Sequence, residues 1–303
     1  VINYLDPVRI AERAIAAARY HGALTAALPL AGTRALRAGP TAGELLLETE
    51  YARDVRPQLS RLYSAPIASG LLDWQGMSRA EIAGWVLDYY RDQETAAPLG
   101  ATFQRYGRRG LNLGGQMGID ELDLEGTFDL TDETILERID AHAAALVDTR
   151  PGADMSVAVT TAGEIGRQVE RRRDEGHSAA DMLPLLSAWV LGRTVIRSAL
   201  IATTENVRMS RWGMVWAFAG NGIRGVRHEC ESDVDDRCGG RICPPLCGTE
   251  YELGGVFNPM GGIPSAGQIP LHGRCRCWYS PLQDGWLKPA LIWTGFALDA
   301  LTD

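Results

Sequence analysis

Apolar residues recur at helical spacing over most of the first 220 positions and lose that spacing afterwards. Arg9–Leu28 is rich in Ala and Leu and stops at Pro29, which predicts a first helix. Ala42–Tyr63 predicts a second, interrupted or re-aimed at Pro57, where a backbone N–H is missing. Ser78-Arg79-Ala80-Glu81 is a capping box opening a third helix, Arg79–Gln93, with Ile82, Trp85, Val86 and Tyr89 as its packed face. Gly107–Gly118 is glycine-rich and predicts a linker or irregular hinge. Its neighbours Arg105, Arg108 and Arg109 then read as solvated loop residues, with a phosphate or acidic partner as the lesser alternative. Asp120–Phe128 alternates loosely, as a strand or an extended arm would. Thr131 or Asp132 caps a helix running through Val147, with Ile135, Ile139, Ala143 and Leu146 on one face. Another helix covers Met155–Glu175. Ser178 caps the next, with Asp181 three residues on and Pro184 tolerated near its start. That helix reaches at least Ala199 and continues or restarts across Trp212–Ala219.

Beyond Gly220 the chain changes character. Gly, Pro, Asp and Cys dominate, and short β-like pieces stand at Gly225–Glu229, Tyr251–Phe257 and Arg276–Tyr279. The expected fold class is α+β: a mainly helical body with a small β-containing, Cys-rich module towards the C-terminus. The expected division is an N-terminal helical region over 1–110, a helical core over 111–222, the Cys-rich module over 223–281 and a tail over 282–303.

Composition narrows the class. Hydrophobic residues make up 46% and charged residues 22% of 303 positions, ordinary globular usage rather than disorder. A net charge of −8 argues against the whole chain binding nucleic acid, which needs clustered Lys and Arg. The longest apolar runs, such as Met182–Gly192 and Ala290–Leu301, fall short of the roughly 18–20 residues that cross a bilayer, so no membrane partner is expected. Pro7–Leu28 is amphipathic, unlike a secretory signal core. The first residue is Val, which leaves an upstream peptide open.

The cysteines carry the chemistry. All six lie in one window, at 230, 238, 243, 247, 275 and 277. Cys230–Gly248 holds few apolar side chains, too few to offset its ordering entropy, so something covalent or coordinate must hold it. Cys243-Pro-Pro-Leu-Cys247 places two thiols on a tight turn with the spacing of a structural zinc knuckle. A second pair of donors lies in His272-Gly273-Arg274-Cys275-Arg276-Cys277. The expected zinc ligands are therefore Cys243, Cys247, His272 and Cys275, with Cys277 or Cys238 as alternates. Arg274 and Arg276 would offset thiolate charge. The competing reading is two or three disulfides, for which six cysteines allow 15 pairings.

Catalytic motifs fail their context tests. Gly220-Asn221-Gly222-Ile223-Arg224-Gly225 follows a helix and opens none, unlike a dinucleotide loop. His228-Glu229 lacks a second His at 232, and no H-x-E with P-C-x-x-C occurs. His21, His142 and His177 read as isolated surface or packing residues.

Taken together, Phe128-Asp129-Leu130-Thr131-Asp132, Gly176-His177-Ser178, the run Arg197–Glu205, Asp235-Asp236, Cys243, Cys247, Pro270, His272 and Cys275-Arg276-Cys277 resemble the phage Mu F-like minor head proteins. The resemblance covers about Phe128–Pro281, and His-x-x-Cys-Arg-Cys is its most specific piece. The chain departs in its Cys-x-x-x-Cys spacing, its extra Cys238, and Thr203 where a basic residue is usual. The resemblance implies a non-enzymatic virion structural protein at the portal vertex of a phage head, acting in head assembly, DNA packaging or DNA ejection. Implied partners are the portal protein, the major capsid or scaffolding protein and packaged double-stranded DNA. Arg197 and Glu205, two turns apart on one helix face, are expected to be structural, with Glu205 supporting the cysteine module. Two other classes remain at this stage. One is a zinc-dependent enzyme, hydrolase or toxin-like, with an open coordination position beside Glu229 or Asp236. The other is a DNA-contacting module using Arg224, Arg227, Arg237 and Arg241.

Overall fold

The computed structural model describes residues 40–150, 152–153, 156–230, 243–271 and 275–282. The helix expected over Arg9–Leu28 and the tail from 283 lie outside these residues. Among the described residues six helices lead: α1 (Ala42–Gly70), α2 (Arg79–Asp92), α3 (Ala97–Glu121), α4 (Glu133–Leu146), α5 (Val157–Asp174) and α6 (Ala179–Gly220). Three short strands follow: β1 (Gly225–Glu229), β2 (Glu250–Glu252) and β3 (Trp278–Pro281). The fold is α+β, mostly helical, with a small sheet among the clustered cysteines.

Local chemistry sets the helix starts. Thr41 and Glu44 form a capping box ahead of α1, and Ser78 and Glu81 form one ahead of α2, so two orphan N–H groups are met at each end. The Asp132 carboxylate accepts from Thr134 N at 2.8 Å, and Ser156 accepts from Ala158 N and Val159 N. Ile135, Ile139, Ala143 and Leu146 of α4 are buried, as their spacing predicts. Pro57 does not interrupt α1: Val55, Leu59, Leu62, Tyr63 and Ile67 keep one buried face across it. Tertiary packing, which supplies most helix stability in proteins, outweighs the missing hydrogen bond.

The chain divides into two compact units, each built from two segments: 1–110 with 130–206, and 111–129 with 207–303. The linear division expected from composition does not show this interleaving. Helices α3 and α6 both run across the division.

In the first unit α2 packs along α5, and α1 packs on both. Tyr51 stacks on Tyr106 with centroids 4.4 Å apart, and Tyr90 donates to the Leu62 carbonyl at 2.7 Å. Arg105, Arg108 and Arg109 are not loop residues. They lie on α3 and pair with Asp54, Asp140 and Glu50 at 2.8, 3.2 and 2.6 Å.

In the second unit the predicted hinge is the C-terminal half of α3. A Cβ on Gly114 would collide with the Ser210 carbonyl, and one on Gly213 with the Leu111 carbonyl. At Gly118 a Cβ would come within 2.8 Å of Ala217 Cβ. These glycines let α3 and the end of α6 approach backbone to backbone. Gly115 likewise accepts the Phe128 ring, so Asp120–Phe128 is a folded-back arm rather than a strand. The sheet order is β2–β1–β3, both pairs antiparallel, with Val226 opposite Tyr251 and His228 opposite Tyr279.

Among the described residues one helix, α6, is long and apolar enough to cross a membrane by length and composition, its best 18-residue window having mean hydropathy 1.4 and being 33% buried. Of the two courses the sequence allows across Trp212–Ala219, the helix takes the continuous one, through to Gly220. The same helix carries Arg197, 7% exposed, whose guanidinium is tied into the first unit's polar interior.

Candidate metal centre

The second unit's core is lined by Met214, Val215, Phe218, Val226, Ile263, Ile269 and Tyr279, and three thiols sit inside it. Cys243, Cys275 and Cys277 are each 0% exposed. Their sulfurs all lie within 4.8 Å of one another. Cys243 opens a short 3-10 turn, with Leu246 N donating to the Cys243 carbonyl at 2.9 Å. Gly248 then takes φ +75, a value L-residues avoid, and donates its N–H to the His228 carbonyl at 2.7 Å. The knuckle is thereby pinned to β1. Cys275 and Cys277 lie just before β3, and with Tyr279 they alternate to the buried side, so both thiols face inward.

A second donor group shares a vertex with the first. A ring nitrogen of His228 and the sulfurs of Cys230 and Cys277 lie within 4.8 Å of one another. Cys230 is also joined to Cys247 in a disulfide, across 17 residues of sequence separation.

The predicted ligands thus sort unequally. Cys243 and Cys275 are brought together, and the alternate Cys277 joins them. Cys247 stands apart as the exposed partner of Cys230, so one of the pairings in the disulfide reading is realised. His272, Cys238 and Arg274 lie outside the described residues. Asp236, Arg237 and Arg241 do too.

Electrostatics follow from crowding. Thiols of Cys243 and Cys277 hydrogen-bonding to Cys275 hold its pKa far below the usual thiol value. The contacts with Cys243 and Cys275, and burial, push the Cys277 thiol up. Burial lowers the pKa of His228 and so favours the neutral imidazole, the form that ligates. Gly267's backbone favours the charged form a little, yet neither ring nitrogen makes a hydrogen bond of acceptable geometry.

Two residues here carried no sequence signal strong enough to single them out. His228 is one: it drew notice only in the failed H-E-x-x-H match with Glu229, and its inward place beside Val226 on β1 gives no ligand spacing. Arg211 is the other. It is 2% exposed, and its Nε donates to the Cys277 carbonyl at 2.9 Å. It fixes the segment that presents the last two thiols.

The remaining candidates lie elsewhere. Glu205 belongs to the first unit, where it meets His142 Nε2 at 2.6 Å with both side chains nearly buried. Of the surface and packing roles the sequence allowed, His142 takes the packed one, and it is paired rather than isolated. Glu229 accepts from Ser280 Oγ at 2.7 Å, so that carboxylate is already engaged. Arg227 pairs with Glu250 at 2.7 Å.

Metal fit rests on the donors present. Three buried thiols and an unpartnered imidazole are the soft and borderline donors that a thiophilic cation takes. Cys243, Cys275 and Cys277 form one group that could hold a metal ion, and His228, Cys230 and Cys277 form another. In comparison with family profiles, curated proteins and solved structures, the chain matches none.

Proposed function

We propose that this chain is a phage virion structural protein, a minor head protein at the portal vertex, whose C-terminal knob is closed by structural zinc. The observation that carries the reading is the convergence of Cys243, Cys275 and Cys277 in one buried cluster. Those three positions also carry the Mu F-like signature, so the same residues support the metal and the family reading.

The chemistry favours a clasp over catalysis. Cys243, Cys275 and Cys277 would hold the ion as thiolates, in a site walled by Tyr279, Ile269 and Val226. When bound, zinc supplies coordinate bonds that cross-link the Cys243 knuckle to the segment entering β3 and so replace missing apolar burial. Among the described residues no carboxylate belongs to either donor group. Arg211 holds the Cys277 carbonyl and balances thiolate charge from within the same unit. The helical body supplies surface for docking to the portal, capsid or scaffolding proteins, and an assembly role needs such surface rather than a reactive pocket.

The test is compositional. Heads purified from the host that produces this chain should contain it at low copy relative to the major capsid protein, with about one zinc per chain. Intact heads lacking the polypeptide, while retaining the portal, would overturn the reading.

A further inference from the structure

We propose that His228 supplies the nitrogen ligand of this metal site, completing a donor set with Cys243, Cys275 and Cys277. The inference rests on the metal half of the reading above and deepens it. His228 is 0% exposed, and both of its ring nitrogens lack a hydrogen-bond partner among the described residues. A buried imidazole normally donates from one nitrogen and accepts at the other, so two unmet nitrogens call for a ligand. The position is fixed by backbone on both sides. His228 N donates to Thr249 O at 2.8 Å, and its carbonyl accepts from Gly248 at 2.7 Å. Its ring meets the Tyr279 ring edge-on at 5.9 Å between centroids.

Placement in the sheet aims the ring at the thiols. His228 and Val226 face inward from β1, and β3, entered directly after Cys277, pairs with β1 at His228. A His228 nitrogen lies within 4.8 Å of Cys277 Sγ, which lies within the same distance of Cys243 and Cys275 Sγ. Cys277 is thus the shared vertex. The rival beside it, Cys230, is committed to Cys247. His272 and Cys238 are the rivals that the experiment tests.

The experiment uses the full chain, stripped of metal with a chelator under argon and without thiol reductant, then titrated with Co(II) and competed with Zn(II). Wild type should bind one Co(II) in a tetrahedral site with sulfur-to-cobalt charge transfer from three thiolates. His228→Gln should weaken zinc binding by about tenfold or more and alter the cobalt d–d bands. His272→Gln and Cys238→Ser should leave both unchanged. Because His228→Gln can fail to fold, His228→Cys is the second arm. It should retain the site and raise charge-transfer absorbance by about a third, the step from three thiolates to four. An unchanged spectrum in both His228 variants would overturn the assignment, as would loss of the site in His272→Gln or Cys238→Ser alone. Wild type that binds no metal would remove the zinc clasp as well, so the two failures are distinct.

Discussion

A guanidinium only 7% exposed is tolerable when its donors meet oxygens, and Arg197 meets five with its two terminal nitrogens. Nη1 donates to Tyr63 Oη at 2.6 Å, Thr161 Oγ1 at 2.9 Å and Glu164 Oε2 at 3.3 Å. Nη2 donates to the Val157 carbonyl at 3.2 Å and Thr160 Oγ1 at 2.6 Å. Tyr63 in turn donates to Glu164, and Arg193 closes on the same carboxylate. Burial raises the Glu164 pKa, but hydrogen bonding to Arg193, the Arg197 charge and the Tyr63 hydroxyl outweigh it and leave the carboxyl net below its ordinary value. Glu164→Ala should therefore cost about 3 kcal/mol in denaturant unfolding at neutral pH, the lower end for breaking a buried pair, since Arg193 reaches solvent. Pairing depresses the folded pKa, so the contribution is present above the ordinary Glu value. It is lost as pH falls through the lower folded value. The gap between wild type and variant should shrink on acidification through that window, and a gap that widens there would refute the network. Sequence singled out Arg197 but could not name its partners. They sit on α1 and α5, and no local spacing announces a contact across 33 or more positions.

Helix ends and faces were legible because their causes are local. Ser78 with Glu81 caps α2, and the Ile135, Ile139, Ala143, Leu146 face of α4 is buried as spaced. The glycine run was misread for the opposite reason. The cost of glycine in a helix is local, whereas its compensation at Gly114 and Gly118 comes from α6, about a hundred residues away. This separates two outcomes for one substitution. Gly163 in α5 has nothing within 4 Å of an added Cβ, so Gly163→Ala should stabilise by about 0.8–1 kcal/mol through helix propensity. Gly213→Ala has the same propensity gain but drives a Cβ into the Leu111 carbonyl. Net destabilisation of about 1–3 kcal/mol is expected, read as a fall in denaturant midpoint. A flexible hinge would show Gly114→Ala stabilising like Gly163→Ala. The helix contact requires it to destabilise like Gly213→Ala.

At the scale of the whole molecule, the two units draw stability from different sources. The first has a helical core of large side chains, including Tyr63, Trp74, Ile82 and Tyr90, all nearly inaccessible. The second adds a three-stranded sheet whose strands are three to five residues long, too little for independent stability without another cross-link. The cysteine pairs made that need readable from sequence. The ligand set was only partly readable, because a lone His on a strand has no spacing signature and the thiols separate into a disulfide and a cage only in three dimensions. Metal removal should therefore act unevenly. With chelator present, hydrogen exchange should accelerate in β1, β2 and β3 and around Cys243. Amides of α2 and α5, which pack on each other within the first unit, should keep their protection. Adding reductant to open Cys230–Cys247 should extend the loss, since closing a loop of that length contributes about 3 kcal/mol. Equal loss across both units would mean that the metal stabilises the chain as one cooperative body. Unchanged exchange in the strands would mean that the apolar packing of Val226, Ile269 and Tyr279 suffices without it.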